Sequence, residues 1–307
     1  MRILVVGAGV IGLSCAVRLA RNGHDVHVLA RDLPLETTSA VAAALWYPYR
    51  ALPRDKVTAW GERTYAEFTR LAEQRPESGV SMVDGTELLH ESAPDSWWRS
   101  AVPDLERVRT LPDGYRDGWR FRAPVVEMPR YLSWLRKQLA DAGGTVTRMA
   151  LAALPNHAPV VVNAAGLGGR ALAGDSTLWP VRGQVVYVEQ FGLDRWWLDG
   201  SGPTYVVPRS KDVVVGGTDD EGEWATLPQP DVAERILRRA ARIVPDVAKA
   251  RVLGHRVGLR PARPQVRLEE EPYADGRRVI HCYGHGGAGV TLSWGCADEV
   301  VRLVDGA

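Results

Sequence analysis

The run Gly7-Ala8-Gly9-Val10-Ile11-Gly12 constrains this chain more than any other feature, because of where it stands. It follows a short β-branched stretch, Arg2-Ile3-Leu4-Val5-Val6, and precedes Leu13 to Arg21, where apolar residues recur at helical period. Strand, tight turn and helix in that order are what a dinucleotide-binding βαβ unit requires. Gly7 permits the turn, Gly9 lets a pyrophosphate approach the backbone, and Gly12 lets the helix pack on the strand, while free N–H groups at the helix start face the phosphates. Asn22-Gly23 supplies a stop, and Asp25 to Ala30 a second strand. In simple units of this kind a carboxylate at that strand's tip takes the ribose hydroxyls. Here the tip reads Ala30-Arg31-Asp32, and Arg31 equally suits a 2′-phosphate, so this unit alone does not choose the cofactor. Glycine breaks and the closely following Arg18 and Arg21 argue for a folded element instead of an export signal.

A second cluster, Gly284-His285-Gly286-Gly287-Ala288-Gly289-Val290-Thr291, reads as another backbone turn that approaches a large cofactor, this time near the opposite end of the chain. Between the clusters the pattern changes twice. Pro129 to Asp141 is an amphipathic helix stopped by Gly143-Gly144, and Val160 to Gly166 is a buried parallel strand running into a turn of small residues. Val181 to Glu189, Thr204 to Val207 and Asp212 to Gly216 are short strands of antiparallel character separated by Pro and Gly turns. The expectation is an α/β protein with two discontinuous domains. A Rossmann-like cofactor domain takes residues 1–50, 124–180 and 262–307, and a mixed antiparallel-sheet substrate domain takes 51–123 and 181–261.

Composition excludes several classes. With 38 Lys and Arg against 37 Asp and Glu the net charge is +1, and the arginines are scattered, which gives no footprint for nucleic acid. No apolar run is long enough for a membrane span. Cys15, Cys282 and Cys296 show neither a disulfide framework nor a metal-ligand spacing, so no metal is expected and the thiols are read as packing residues.

Several motifs in one order make the chain resemble the D-amino-acid oxidases along nearly its whole length. They are Val5 to Ser14, Thr37-Thr38-Ser39, Val41 to Tyr49, Arg182-Gly183-Gln184, Tyr205-Val206-Val207-Pro208, Gly216-Gly217-Thr218, Gly258 to Pro264 and His281 to Gly295. The resemblance implies FAD, bound without a covalent link and contacted by Gly7, Ala8, Gly9, Val10, Ile11, Gly12, Arg31, Asp32, Thr37, Thr38, Ala43, Ala44 and Leu45. It also implies that Gly286, Gly287, Ala288, Gly289, Val290 and Thr291 cradle the pyrimidine end of the flavin, with a helix dipole beginning after them. On this view Arg31 is a phosphate or ribose contact and not a selector for NADP.

The implied substrates are a D-amino acid and dioxygen. Arg260 occupies the family's carboxylate-binding place in Arg-Pro-x-Arg-Pro, where a planar guanidinium grips a carboxylate through two parallel hydrogen bonds. Tyr205 matches the tyrosine that supports the same carboxylate, and Gly287 offers its backbone carbonyl to the amine. No acid or base is expected at Cα, since hydride passes to flavin N5; His285 and Arg263 are read as structural. Ser201, in the short stretch Asp199-Gly200-Ser201-Gly202-Pro203, stands where eukaryotic members carry a lid tyrosine. Leu45, Trp46 and Tyr47 remain to line the apolar part of the pocket, with core as the alternative for Trp46. The alternatives are a D-aspartate oxidase, a glycine oxidase and, outside the class, an NAD(P)-dependent dehydrogenase. A D-aspartate oxidase needs a further basic residue, and the near candidate Arg209 is expected to face solvent. The absence of a terminal Ser-Lys-Leu tripeptide suggests a cytoplasmic protein. The family commonly forms homodimers, although no interface signature stands out.

Overall fold

Apolar residues at consecutive positions make Arg2–Val6 and Val160–Asn163 strands that need cover on both faces, and they lie side by side in parallel with Ile3 opposite Val160. They form the middle of a six-stranded sheet in a computed structural model that describes residues 1–92, 94–273 and 276–306. Its order is 267–272, 278–283, 160–163, 2–6, 25–30, 145–148, parallel throughout except for the hairpin strand 267–272 at one edge. Helix Val10–Arg21 covers one face, packed between helices Met128–Asp141 and Gly289–Asp305. The opposite face buries Leu4, Val6, Leu29, Val161 and Val279 against Leu154 and Ala158.

The second sheet is mixed and nine-stranded. Its path runs 220–221, 179–189, 212–216, 205–208, 196–199, 80–89, 117–126, 106–108, and strand 252–262 adds to the long strand 179–189. Strands 80–89 and 196–199 pair in parallel, the other neighbours antiparallel. One face lies under helix Pro230–Ala240 through Val186, Val213, Val215 and Ile236. The other turns toward the parallel sheet and shares its main core, which is what places a cavity between them. Strand Asp117–Val126 runs on past residue 123, where the sequence suggested a boundary, and its far end holds the 44–46 segment. Trp46 N–H donates to the Pro124 carbonyl and Val126 N–H to that of Ala44.

Candidate active site

The glycine turn is built as its sequence requires. Gly7 has φ +111°, and a Cβ there would lie 2.4 Å from the Ala164 carbonyl oxygen, so the turn is pressed against the end of the neighbouring strand. At Gly12 a Cβ would meet the Gly7 carbonyl oxygen at 2.0 Å and Ala164 Cβ at 3.5 Å, so the helix start lies close against the ends of strands 2–6 and 160–163. Helix Val10–Arg21 then opens onto a cavity of about 1330 Å³ that runs between the two sheets. Gly7, Ala8, Gly9, Val10 and Ile11 form its wall, and Ser39 Oγ accepts a hydrogen bond from the Val10 N–H at 3.0 Å.

Arg31, Asp32, Thr37 and Thr38 line one reach of this cavity, beside Met149, Leu151 and Arg170. The Arg31 guanidinium is largely exposed and pairs with Asp32 at 2.6 Å. Thr38 is tied to the other sheet by its hydroxyl, which donates to the Leu259 carbonyl. Ala43, Ala44, Leu45 and Tyr47 continue the wall toward the far end, where His285, Gly286, Gly287, Gly289, Val290 and Thr291 face them. The terminal helix begins inside this glycine cluster, at Gly289, and not after it. The Thr291 hydroxyl is already engaged, accepting from the Tyr47 N–H at 3.0 Å and donating to its carbonyl at 2.9 Å. Of the expected cofactor residues, Gly12 and Ala288 stand behind the wall instead of on it.

Tyr205, Arg260 and Gly287 meet at one place on the cavity wall, where the Arg260 guanidinium stands beside the Tyr205 phenol and a Cβ on Gly287 would lie 3.6 Å from Arg260 Cδ. The Arg260 guanidinium lies over Gly183, donates from Nη1 to the Thr218 carbonyl at 2.9 Å, and stands 3.7 Å from Asp219. Asp219 also pairs with Arg50 at 2.5 Å. Burial pushes the Tyr205 phenol above its ordinary value, an effect tempered by the Arg260 guanidinium beside it. Burial and the Asp219 carboxylate push Tyr49 up to about 12. Both phenols therefore stay neutral hydrogen-bonding groups near neutral pH.

Other expectations resolve residue by residue. Trp46 is core: it is 1% exposed, donates to the Gly61 carbonyl and meets Tyr65 and Trp98 edge-on. Arg263 is a structural partner, bonded to Asp175 at 2.8 Å. Arg209 does not face solvent, contrary to expectation. Its side chain is buried over the Tyr187 ring and chelated by Asp212 at 2.6 and 2.8 Å, because a strand-end arginine with a carboxylate three residues on closes that pair locally. It lines a separate cleft and not this cavity. Ser201 is exposed at the tip of the turn, while its neighbours Gly200, Gly202 and Pro203 form the wall.

Two features of the site could not be read from the sequence. Cys282, His285 and Cys296 converge, their Sγ and Nε2 atoms within 4.8 Å of one another, because the last strand and helix meet there. Burial lowers the His285 imidazole to about 4 and raises the Cys296 thiol, so the group is a set of neutral hydrogen-bonding partners. Glu87 is the second: it is 4% exposed, and its Oε1 accepts from the Tyr47 hydroxyl at 2.6 Å. Burial raises its carboxyl to about 7.

The cavity fits FAD. A helix N-terminus and glycine turn stand on its wall, small residues such as Ala42, Ala43 and Ala44 line it, and its volume exceeds that of an ordinary small-molecule pocket, roughly 300–1000 Å³, leaving space for a substrate as well. Residues 2–303 match the family model described as FAD dependent oxidoreductase. The chain belongs to this family. It is 51% identical to a D-amino-acid oxidase of Rubrobacter xylanophilus, an alignment covering 100% of this chain and 96% of that one. Identity to a D-amino-acid oxidase of Streptomyces coelicolor is 44%, covering 98% and 96%. A D-aspartate oxidase of Homo sapiens is 36% identical over 99% and 94%. Among solved structures, glycine oxidase from Geobacillus kaustophilus superposes with a TM-score of 0.85 over 99% of this chain and 95% of that one, at 21% identity, a likeness of fold. The cofactor of this family is FAD and not a nicotinamide.

Proposed function

We propose that this protein is a D-amino-acid oxidase, converting a D-amino acid to the imino acid, which hydrolyses to the 2-oxo acid and ammonia. The observation that carries the reading is the convergence of Arg260, Tyr205 and Gly287 at one place on the wall of the FAD-sized cavity, in a chain 51% identical to a D-amino-acid oxidase. In this assignment the cofactor is held by the glycine turn, by the Arg31 to Thr38 reach and by the wall formed from Ala43 to Leu45 and Gly286 to Thr291. Its domain is assigned to residues 1–50, 124–180 and 262–307 and the substrate domain to 51–123 and 181–261, except that strands 117–126, 179–189 and 252–262 carry the second sheet across these bounds. When bound, FAD would supply the acceptor for the Cα hydride, with dioxygen as the final oxidant and hydrogen peroxide as its product.

The chain's own groups bind and orient. Arg260 takes the substrate carboxylate through two parallel hydrogen bonds, and its anchoring to the Thr218 carbonyl fixes the plane of the fork. The Tyr205 hydroxyl donates to the same carboxylate. A phenol pushed up by burial is a poor base, so it holds its proton. The Gly287 carbonyl accepts from the neutral amine. Alignment is the catalytic contribution of these residues.

No helix among the described residues is long and apolar enough to cross a membrane, and a cytoplasmic setting is part of the proposal. The test is anaerobic mixing of the holoprotein with D-methionine, D-aspartate and glycine while flavin absorbance is followed, repeated with Arg260→Ala. Bleaching by D-methionine that is lost in the variant supports the reading. Bleaching by D-aspartate or glycine alone moves the activity to that substrate, and a protein that carries no flavin overturns it.

A further inference from the structure

Glu87 is a buried carboxyl that the mechanism above does not use. It lies in strand 80–89 opposite Leu198, which lies opposite Tyr205, so that Glu87, Leu198 and Tyr205 form one row across three neighbouring strands. Residues in such a row point to the same face, and Leu198 and Tyr205 both stand on the cavity wall. Two strand spacings put the Glu87 and Tyr205 backbones roughly 10 Å apart. Two wall residues cover the carboxyl. Tyr47 donates to Oε1 at 2.6 Å, and Gly200 lies so close that a Cβ there would be 2.7 Å from the same oxygen. The second oxygen, Oε2, is buried with no hydrogen-bond partner, and no ion pair to Glu87 exists among the described residues. An unpaired buried carboxyl is costly to keep, and it is costliest when ionised.

We propose that Glu87, just behind Tyr47 and Gly200, sets the charge at the distal end of the substrate side-chain pocket, and that the enzyme favours D-amino acids whose side chain ends in a cation. This rests on the D-amino-acid oxidase reading. With the substrate carboxylate on Arg260 and Tyr205, a flexible stem of about four carbons extends along the row toward Tyr47 and Gly200, and a terminal ammonium there stands in front of the buried carboxylate and offsets its unpaired charge. Leu45 and Leu198 flank the stem. The turn at 200–203 leaves room for it, since Gly200, Ser201 and Gly202 bring no large side chain over the pocket. An acidic side chain would meet a carboxyl where it needs a guanidinium, which separates this pocket from one built for D-aspartate.

The experiment measures anaerobic flavin reduction in the holoenzyme above neutral pH, with D-lysine, its uncharged analogue D-norleucine, and D-glutamate. D-Lysine is expected to exceed D-norleucine at least fivefold in kcat/KM, with D-glutamate lowest. Glu87→Gln is expected to cut the lysine-to-norleucine ratio at least tenfold, with the change in half-saturation and not in limiting rate. Glu87→Asp, which keeps a carboxyl at this position, is expected to retain a preference for D-lysine over D-norleucine of at least threefold. A wild-type ratio near one, a ratio that survives Glu87→Gln, or one abolished by Glu87→Asp overturns the proposal. Failure of all three substrates and of D-methionine to reduce the flavin overturns it together with the reading beneath it, whereas reduction by D-norleucine with no lysine preference sinks the proposal alone.

Discussion

Gly183 provides a way to move the substrate-binding arginine without touching it. The residue sits in strand 179–189 beneath Arg260, and a Cβ built on it would lie 2.4 Å from Nη2, 2.5 Å from Cζ and 2.6 Å from Nη1. Carbon and nitrogen atoms rest about 3.5 Å apart or more, so in Gly183→Ala the guanidinium must retreat by about 1 Å. It can do so at little cost to the fold, because the displaced atoms are the far end of a flexible side chain. The retreat breaks the 2.9 Å bond to the Thr218 carbonyl and turns the fork out of the plane in which it meets a carboxylate. A misplacement of about 1 Å in a positioning group can cost about a hundredfold in rate. Gly183→Ala is therefore expected to lower kcat/KM for D-methionine by about a hundredfold, while FAD affinity and thermal stability stay near the parent values. Anaerobic reduction kinetics with a parallel FAD titration and melting curve would check this. A kcat/KM within threefold of the parent would refute the argument that Gly183 exists to let Arg260 lie flat, and an unfolded or flavin-free variant would show that the methyl strains something other than the arginine.

Arg260→Lys keeps the charge but loses the fork, and the lost charge-assisted bond, about 1.5–3 kcal/mol, predicts a fall of about 10- to 100-fold in kcat/KM by steady-state oxygen uptake, with FAD still bound. Trp46→Ala removes a ring that is 1% exposed together with its bond to Gly61, and should cost about 3–5 kcal/mol in a denaturant titration run with excess FAD; a loss below about 1 kcal/mol would contradict its place in the core. Glu87 is raised from 4.5 to about 7 by burial, so the folded state binds its proton more tightly than the unfolded chain does. Its contribution to stability is fully present below about pH 4.5 and is lost as pH rises to and past about 7, by at most about 3 kcal/mol. Glu87→Gln cannot ionise, so its stability relative to the parent should improve over that window, and parallel stability–pH curves for the two proteins would show that the carboxyl is not buried as described.

What could be read in the sequence was whatever is local to it. The strand at Arg2–Val6, the helix after it and the second strand at Asp25–Ala30 follow from apolar spacing and glycine stops, and Asp212–Gly216 is likewise a strand where alternation placed one. Arg260 and Tyr205 could be singled out only by resemblance, because nothing in the spacing of a lone arginine or tyrosine says that it faces a cavity. Arg209 shows the local logic misapplied: a charged residue after a proline looks solvent-facing until the carboxylate at Asp212 folds back to chelate it. Glu87 shows where such logic ends. In a stretch reading Thr86-Glu87-Leu88-Leu89 a glutamate looks like the solvated face of an edge strand, since alternation tells only that its face differs from that of its neighbours. Which face is buried depends on strand 80–89 being flanked on both sides, by 117–126 and 196–199, and on its Glu87 face turning toward the flavin-sized cavity. Those pairings join residues about 30 and more than 100 positions apart, and no window of sequence contains them. The same long-range pairing that hides Glu87 from sequence reading sets it in the row with Tyr205, so the residue least legible in the sequence is the one positioned to choose among side chains.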